Sequence, residues 1–196
     1  GNSTHIIAFT SNEPVPTLGD WGAVNIRTEG AYKEVRWVKV EYSTDGIKGL
    51  SNSNVTQSVF DGSGVGISGS NINVAKSNFT RNGVGISGGY PTDGNVVDCL
   101  FEENNVGVQG ENLNISYSSF TRNGWGVNYW RGTMQDCLVY NNTNGIGTYG
   151  LGWTGPNQIV NCDVRGNQNT GIYVEEDAAP LIKDTNVTEN GGDGIA

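Results

Sequence analysis

VAKSNFTRNGVGISG, residues 74–88, is the unit from which this chain is built. Val74 is followed three residues on by the small Ser77, then by Phe79, by Asn82 in a turn, and by Gly85-Ile86. The same frame recurs as Val55-Ser58-Phe60-Ile67, Val96-Cys99-Phe101-Val108 and Ile115-Ser118-Phe120-Val127. It continues as Met134-Cys137-Val139-Ile146, Ile159-Cys162-Val164-Ile172 and Ile182-Thr185-Val187-Ile195, and a divergent copy, Val35-Val38-Val40-Ile47, opens the series. Copies recur every 19 to 25 residues, the signature of a solenoid.

β-Branched and aromatic residues sit two apart within each copy, as in strands, and no window holds a helical apolar stripe. The three-residue step from Val74 to Ser77 reads as a bend. Each copy is therefore one coil of short strands, pairing in parallel with the next about 4.8 Å away. The fold class expected is all-β: a single-stranded right-handed parallel β-helix of about eight to nine coils, its hand taken from the general crossover rule. Residues 1–196 form one continuous body, with irregular first coils over 1–34 and regular repeats over 35–196. Both ends read as cut in mid-coil, so the chain is expected to be a segment of a longer protein or to abut another copy.

Inward positions should stack in columns. Val40, Phe60, Phe79, Phe101, Phe120, Val139, Val164 and Val187 form one, and Ile47, Ile67, Ile86, Val108, Val127, Ile146, Ile172 and Ile195 another. Small residues fill a third: Val38, Ser58, Ser77, Cys99, Ser118, Cys137, Cys162 and Thr185. Asn82, Asn104, Asn123, Asn142, Asn167 and Asn190 form an asparagine ladder, placed in turns because Asn tolerates left-handed backbone. The three cysteines lie in the small column as buried thiols. Stacked in register, Cys137 and Cys162 would hold their Cβ atoms about 4.8 Å apart, against about 3.8 Å in a disulfide.

Thirty Gly and twenty-five Asn suit tight turns. A formal net charge of −9 with 11 scattered basic residues excludes a nucleic-acid stripe, and no segment suits membrane insertion. With no Cys-x-x-Cys pair and His5 as the only histidine, no metal site is expected. The acidic run Glu175-Glu176-Asp177 offers at most weak Ca²⁺ binding, which a solvated turn explains equally well. No other cofactor is expected.

Insertions at 88–95, 148–158 and 175–180 fall at the same point of the repeat and should line one edge. That edge would display Tyr90, Asp93, Tyr129, Trp130, Tyr149, Trp153, Glu175, Glu176 and Asp177. Rings stack on sugar faces and carboxylates accept hydroxyl hydrogens, so these are the carbohydrate-binding candidates; rings folded back to seal the core are the alternative. Val65, Val84, Val106 and Trp125 form an apolar stripe that suits either lateral contact or partial burial. Arg81, Glu103 and Arg122 share an outward column and predict a cross-strand ion ladder, the alternative being an anionic-sugar site. Six Asn-x-Ser/Thr sequons, at Asn2, Asn54, Asn78, Asn114, Asn141 and Asn186, are glycosylation candidates, with Asn78 and Asn186 facing outward beside Thr80 and Thr188.

The N-terminal pattern Ile7-x-Phe9-Thr10-Ser11 … Gly19-Asp20-Trp21-Gly22, followed by degenerate strand–turn repeats, resembles the secreted right-handed β-helix repeat proteins of bacterial and archaeal surfaces, in the pectate-lyase-like superfamily. The resemblance covers nearly the whole chain. It implies a fold shared by lyases, glycosidases, adhesins, phage spikes and structural modules. Against the enzymes of that fold, the chain has no Gly-His-Gly, no Asp-Asp and no Arg-Ile-Lys, and so no catalytic residue is assigned. The reading placed first is a non-catalytic structural or adhesive module at the cell surface, presenting a glycan-binding edge. Its partners would be other domains of the same protein, neighbouring copies or glycans. One alternative is a carbohydrate-active enzyme, lyase or glycosidase, which a cleft lined by three or more carboxylates would favour. The other is a fibre or sheath subunit assembling end to end.

Overall fold

The computed structural model describes residues 1–26, 32–88, 94–130, 132–149, 157–175 and 177–196, the side chains of Tyr129 and Trp130 excepted. The described residues form two parallel sheets, of nine and fourteen strands. The nine-stranded sheet takes one short strand from each coil, from Ile7–Phe9 through Asn78–Thr80 to Asn186–Thr188. The other takes two segments per coil, such as Val84–Gly88 and Gly94–Val97, merged into single strands at Ser43–Thr56 and Val65–Ala75. Each coil is thus a triangle whose two sides share one sheet. The stack makes about seven turns, against the eight to nine expected and fewer than the strands of the nine-stranded sheet, because the first and last coils are incomplete. The shortfall lies at the ends, where residues 10–20 form no strand and Ile195 joins Ile172 only through an isolated bridge.

The inward columns stand in register. Val40 pairs with Phe60, Phe60 with Phe79, Phe79 with Phe101 and Phe101 with Phe120. Their rings stack at centroid distances of 5.0, 4.9 and 4.7 Å, within 7° of parallel. The isoleucine column faces them across the core. Glycine precedes it because nothing larger fits: a Cβ at Gly107 would lie 2.4 Å from the Gly126 carbonyl oxygen and 3.0 Å from the Phe120 ring.

The asparagine ladder is internal. Asn123 Oδ1 accepts the backbone N–H and the side-chain amide of Asn104, each at 2.9 Å, and its own amide donates to Phe101 O at 3.0 Å and Asn142 Oδ1 at 2.9 Å. These asparagines do not take the left-handed backbone expected of them. The residue before each does: Arg81, Glu103, Arg122, Asn141 and Glu189, with Gly166 in the same place. Two further corners bend in the same way, at Asn52, Asn71 and Asn112, and at the row from Trp37 and Gln57 to Asn161 and Asp184. Left-handed backbone costs a side-chain-bearing residue about 1–2 kcal/mol. Continuous coil-to-coil hydrogen bonding offsets it, since each corner N–H still finds a carbonyl on the next coil, as Arg81 N does at Glu102 O (3.0 Å) and Asp98 N at Ser116 O (3.1 Å).

The small column is a hydrogen-bonding one. Ser58 Oγ donates to Thr56 O at 2.8 Å and accepts from Val38 N at 3.3 Å, and Ser77 and Ser118 repeat the donor half. The cysteines take the serine role, Cys99 Sγ donating to Val97 O at 3.3 Å, Cys137 to Gln135 O at 3.2 Å and Cys162 to Val160 O at 3.3 Å. All three are buried and unbridged. Burial pushes the Cys99 thiol up to about 12. The neighbouring Cys162 sulfur, and then burial, drive the Cys137 thiol up, while the Cys137 sulfur pulls Cys162 down. Unfolded, Cys99 would ionise near 9.0, its ordinary value; the native chain therefore binds more protons than the unfolded one between about 9 and about 12. Stability falls as pH rises through that window, and Cys99→Ser is expected to flatten this loss in urea titrations across it.

At the N-terminus, Asp20 accepts from Thr17 Oγ1 (2.6 Å), Thr17 N (2.9 Å) and Ser11 Oγ (2.7 Å), which holds its carboxyl below the usual range. Trp21 Nε1 donates to Glu41 O at 2.8 Å. The Gly-Asp-Trp-Gly segment thus ties the irregular first residues onto the regular stack.

Candidate functional site

One corner row and the strand beside it form a groove of about 500 Å³ that runs across four coils. Tyr117, Asp136, Asn161 and Asp184 succeed one another along the corner, spaced by the hydrogen bonds Tyr117 N to Gln135 O (3.2 Å), Asp136 N to Val160 O (3.2 Å) and Asn161 N to Lys183 O (3.0 Å). The strand beside them contributes Ser119, Leu138, Asp163 and Asn186 in register. Ser118, Cys137 and Cys162 lie beneath. Tyr117, Asp136, Asn161 and Asp184 all have left-handed backbone, which turns their side chains away from the core.

Three carboxylates line the groove. Asp136 is oriented from both sides, Oδ1 accepting from Asn161 Nδ2 and Oδ2 from Gln135 Nε2 at 3.0 Å. Asp163 Oδ1 accepts from Asn186 Nδ2 at 3.0 Å, while Oδ2 pairs with Arg165 Nε at 2.8 Å. Asp184 Oδ2 lies 3.7 Å from Lys183 Nζ, and both groups are largely exposed. Tyr117 is 63% exposed at the first coil of the groove, leaving its ring open for stacking. Asp136 and Asp184 stand two coils apart, about 9.6 Å along the stack. Among the described residues no group of three His, Cys, Asp or Glu is placed to hold a metal ion.

The loop edge expected from the insertions is described only in part. Register brings the residues that flank the insertions to one corner, since Thr148 pairs with Val174 and the strands that follow start at Gly94, Leu113, Thr133, Gln158 and Leu181. Tyr149 and Glu175 sit there on neighbouring coils, with Asp177 exposed beyond. Tyr90, Asp93, Trp153 and Glu176 lie outside the described residues, as do the side chains of Tyr129 and Trp130. Val65, Val84, Val106 and Trp125 are half-buried.

The ion ladder forms only in part. Arg122 Nε meets Glu103 Oε1 at 3.1 Å and also pairs with Glu102, but Arg81 reaches back to Asp61 at 2.5 Å. Asp61 pairs in register with Thr80, so its carboxylate lies beside Arg81. These exposed pairs contribute about 0–1 kcal/mol each. Of the sequons, Asn78 and Asn186 face outward as expected, although the Asn186 amide is engaged by Asp163 and that of Asn54 by Tyr32.

The groove residues were missed because they belong to the corner row, one position before the Ser/Cys column. Read downward, that row runs Gln57, Lys76, Asp98, Tyr117, Asp136, Asn161, Asp184, and its polar and acidic lower half is visible in the sequence once the row is identified.

No family model and no curated protein matches the sequence. Among solved structures, the crystal structure of an alginate lyase from Paenibacillus sp. str. FPU-7 matches with a TM-score of 0.61 and 14% identity, over 100% of this chain and 85% of that one. The chain shares the parallel β-helix fold of that enzyme. This finding also corrects the functional expectation. The non-catalytic module was placed first on the regular ladder, the cut-looking ends and the lack of a known catalytic signature, but a solved protein whose fold spans this whole chain is an alginate lyase. At so low an identity, a signature search by residue type has no reach. The finding favours the carbohydrate-active alternative over that first reading.

Proposed function

We propose that this chain is a carbohydrate-active enzyme, a glycosidase or polysaccharide lyase, that holds a polysaccharide along the corner groove. The observation that carries this reading is the groove itself, which Asp136, Asp163 and Asp184 line on successive coils together with two amides and an open tyrosine ring. A glycan lying across the coils would stack a sugar on Tyr117 and meet Asn161 and Asn186 as hydroxyl partners. Asp136, oriented by two amide donors, is suited to act as a base toward water, and the exposed Asp184 to serve the leaving oxygen. Two carboxylates two coils apart leave room for a water between them, as inversion requires. Asp163 is paired with Arg165 and Asp184 stands near Lys183, while Asp136 is held by amides alone; its charge disfavours a uronate beside it and points to a neutral sugar there. Action on a polymer implies a place outside the cell.

Elimination is the second reading, favoured by the fold shared with an alginate lyase. In that chemistry Asp136, hydrogen-bonded to Asn161, would take the proton next to the uronate carboxyl, and Asn161 and Arg165 would face that carboxyl. The leaving oxygen would draw a proton from water, and Tyr117 would stack on a neighbouring sugar.

A panel of neutral polysaccharides and alginate tests both. New reducing ends without ultraviolet absorbance mark hydrolysis, and a conjugated unsaturated uronate marks elimination. Asp136→Asn and Asp184→Asn are each expected to lower hydrolysis by about 10²–10⁴-fold, the usual span of a positioned acid or base. Cleavage unchanged in both variants and in Tyr117→Phe would remove the groove as the active site.

A further inference from the structure

A second row of amides stands on the outside of the solenoid, away from the groove. Asn54, Asn73, Asn95 and Asn114 occupy successive coils in unbroken register on the fourteen-stranded sheet. Asn73 Nδ2 donates to Asn54 Oδ1 at 3.0 Å, Asn95 Nδ2 to Asn73 Oδ1 at 2.7 Å and Asn114 Nδ2 to Asn95 Oδ1 at 3.5 Å. Asn54 Nδ2 in turn donates to Tyr32 Oη at 2.5 Å.

This ladder differs from the internal one in what it leaves unused. An asparagine side chain has two N–H donors and two acceptor lone pairs. The internal ladder consumes them on backbone and neighbouring amides. In the outer row Asn73 and Asn95 each spend one donor and one acceptor on the ladder, which leaves one of each directed to solvent. Both are exposed. Fixing the amides to one another also removes most of the ordering cost that binding would otherwise incur.

The surroundings select the ligand. Two residues along each strand stand Thr56, Ala75, Val97 and Ser116, a half-buried shelf of small uncharged side chains beside the amides. Over these four coils the two rows carry no charge, in a chain whose net charge is −9. A sugar ring offers the matching chemistry, with hydroxyls that both donate and accept and a C–H face that lies on small apolar groups. The amides repeat about every 4.8 Å, close to the advance of one sugar along an extended β-1,4-linked chain. Four rungs span about 14 Å, room for three sugars.

We infer that the outer amide row Asn54–Asn73–Asn95–Asn114 is a binding surface for an extended, uncharged polysaccharide, separate from the groove. It holds the polymer along the solenoid axis whether or not the groove cleaves it. Its last rung, Asn114, lies on the same coil as Tyr117, so a chain bound here approaches the groove at its first coil.

The test is retention of the full chain on insoluble cellulose and chitin, with calcium-alginate beads as the charged comparison. Retention on a neutral polymer is expected. Asn73→Ala/Asn95→Ala should weaken it about tenfold, the loss of one modest hydrogen bond at each of two rungs. Asn169→Ala, in an exposed amide pair with Asn144 outside both the row and the groove, should leave retention unchanged, which separates this row from surface amides in general. Circular dichroism and melting of the double variant guard against unfolding. Retention on neither neutral polymer, or equal retention by the double variant, overturns the inference.

Discussion

Phe101→Ala is expected to lower the free energy of unfolding by about 3–5 kcal/mol, the cost of emptying an aromatic core site. Phe101 is fully buried, with rings 4.9 Å and 4.7 Å away on either side. Its neighbours cannot close the gap, because backbone hydrogen bonds on both sheets fix the distance between coils. The glycines opposite cannot fill it either, and Gly85 already lies so near the Phe101 ring that a Cβ there would be 2.9 Å from it. Urea denaturation measures the effect. Phe101→Leu should cost less than half as much, since it keeps most of the volume. A central cavity also weakens the coupling between the two halves of a stack held by nearest-neighbour contacts, so a lowered m-value is expected alongside. A loss below about 1 kcal/mol would mean that the column can collapse and that strand pairing does not set the coil spacing.

The second large effect is Asn123→Ala. The substitution strips partners from the Phe101 carbonyl, the Asn104 backbone N–H and the Asn104 amide, all buried. Each buried group left unsatisfied costs about 1–3 kcal/mol, so a total near 3 kcal/mol or above is expected. Asn190 is the internal control. It makes the equivalent bonds to Asn167 and to Val164 O, but at the half-buried last rung, where water can replace what is lost. Asn190→Ala should therefore cost well under half as much, again by urea denaturation. Equal costs at the two rungs would show that the ladder follows from the fold without stabilising it.

These two columns could be read in the sequence because their positions select residue type strongly. A ring stacked on a ring, or an amide on an amide, works only if the same residue returns at every coil. The same holds for the glycine that precedes each inward isoleucine. The corners impose no such rule. Their bend is held by hydrogen bonds to the coils on either side, so Lys76, Asp98, Tyr117 and Asp136 take the same left-handed backbone in turn. Local preference would have placed glycine or asparagine there, and so the bend was assigned to the ladder asparagines, one residue too late. The groove went unseen for the same reason, since Tyr117, Asp136, Asn161 and Asp184 occupy positions where sequence shows no periodicity. The cysteines were legible as buried, unbridged thiols of the small column; their hydrogen bond to the carbonyl two residues back, in serine's place, was not.

Because the bends are enforced from above and below, identity at a corner is nearly decoupled from folding. Each turn of the spiral offers one outward peg whose chemistry can be exchanged while the wall behind it stays the same. A new specificity would then need a handful of changes along a single vertical line, and a library restricted to that line should return mostly folded proteins.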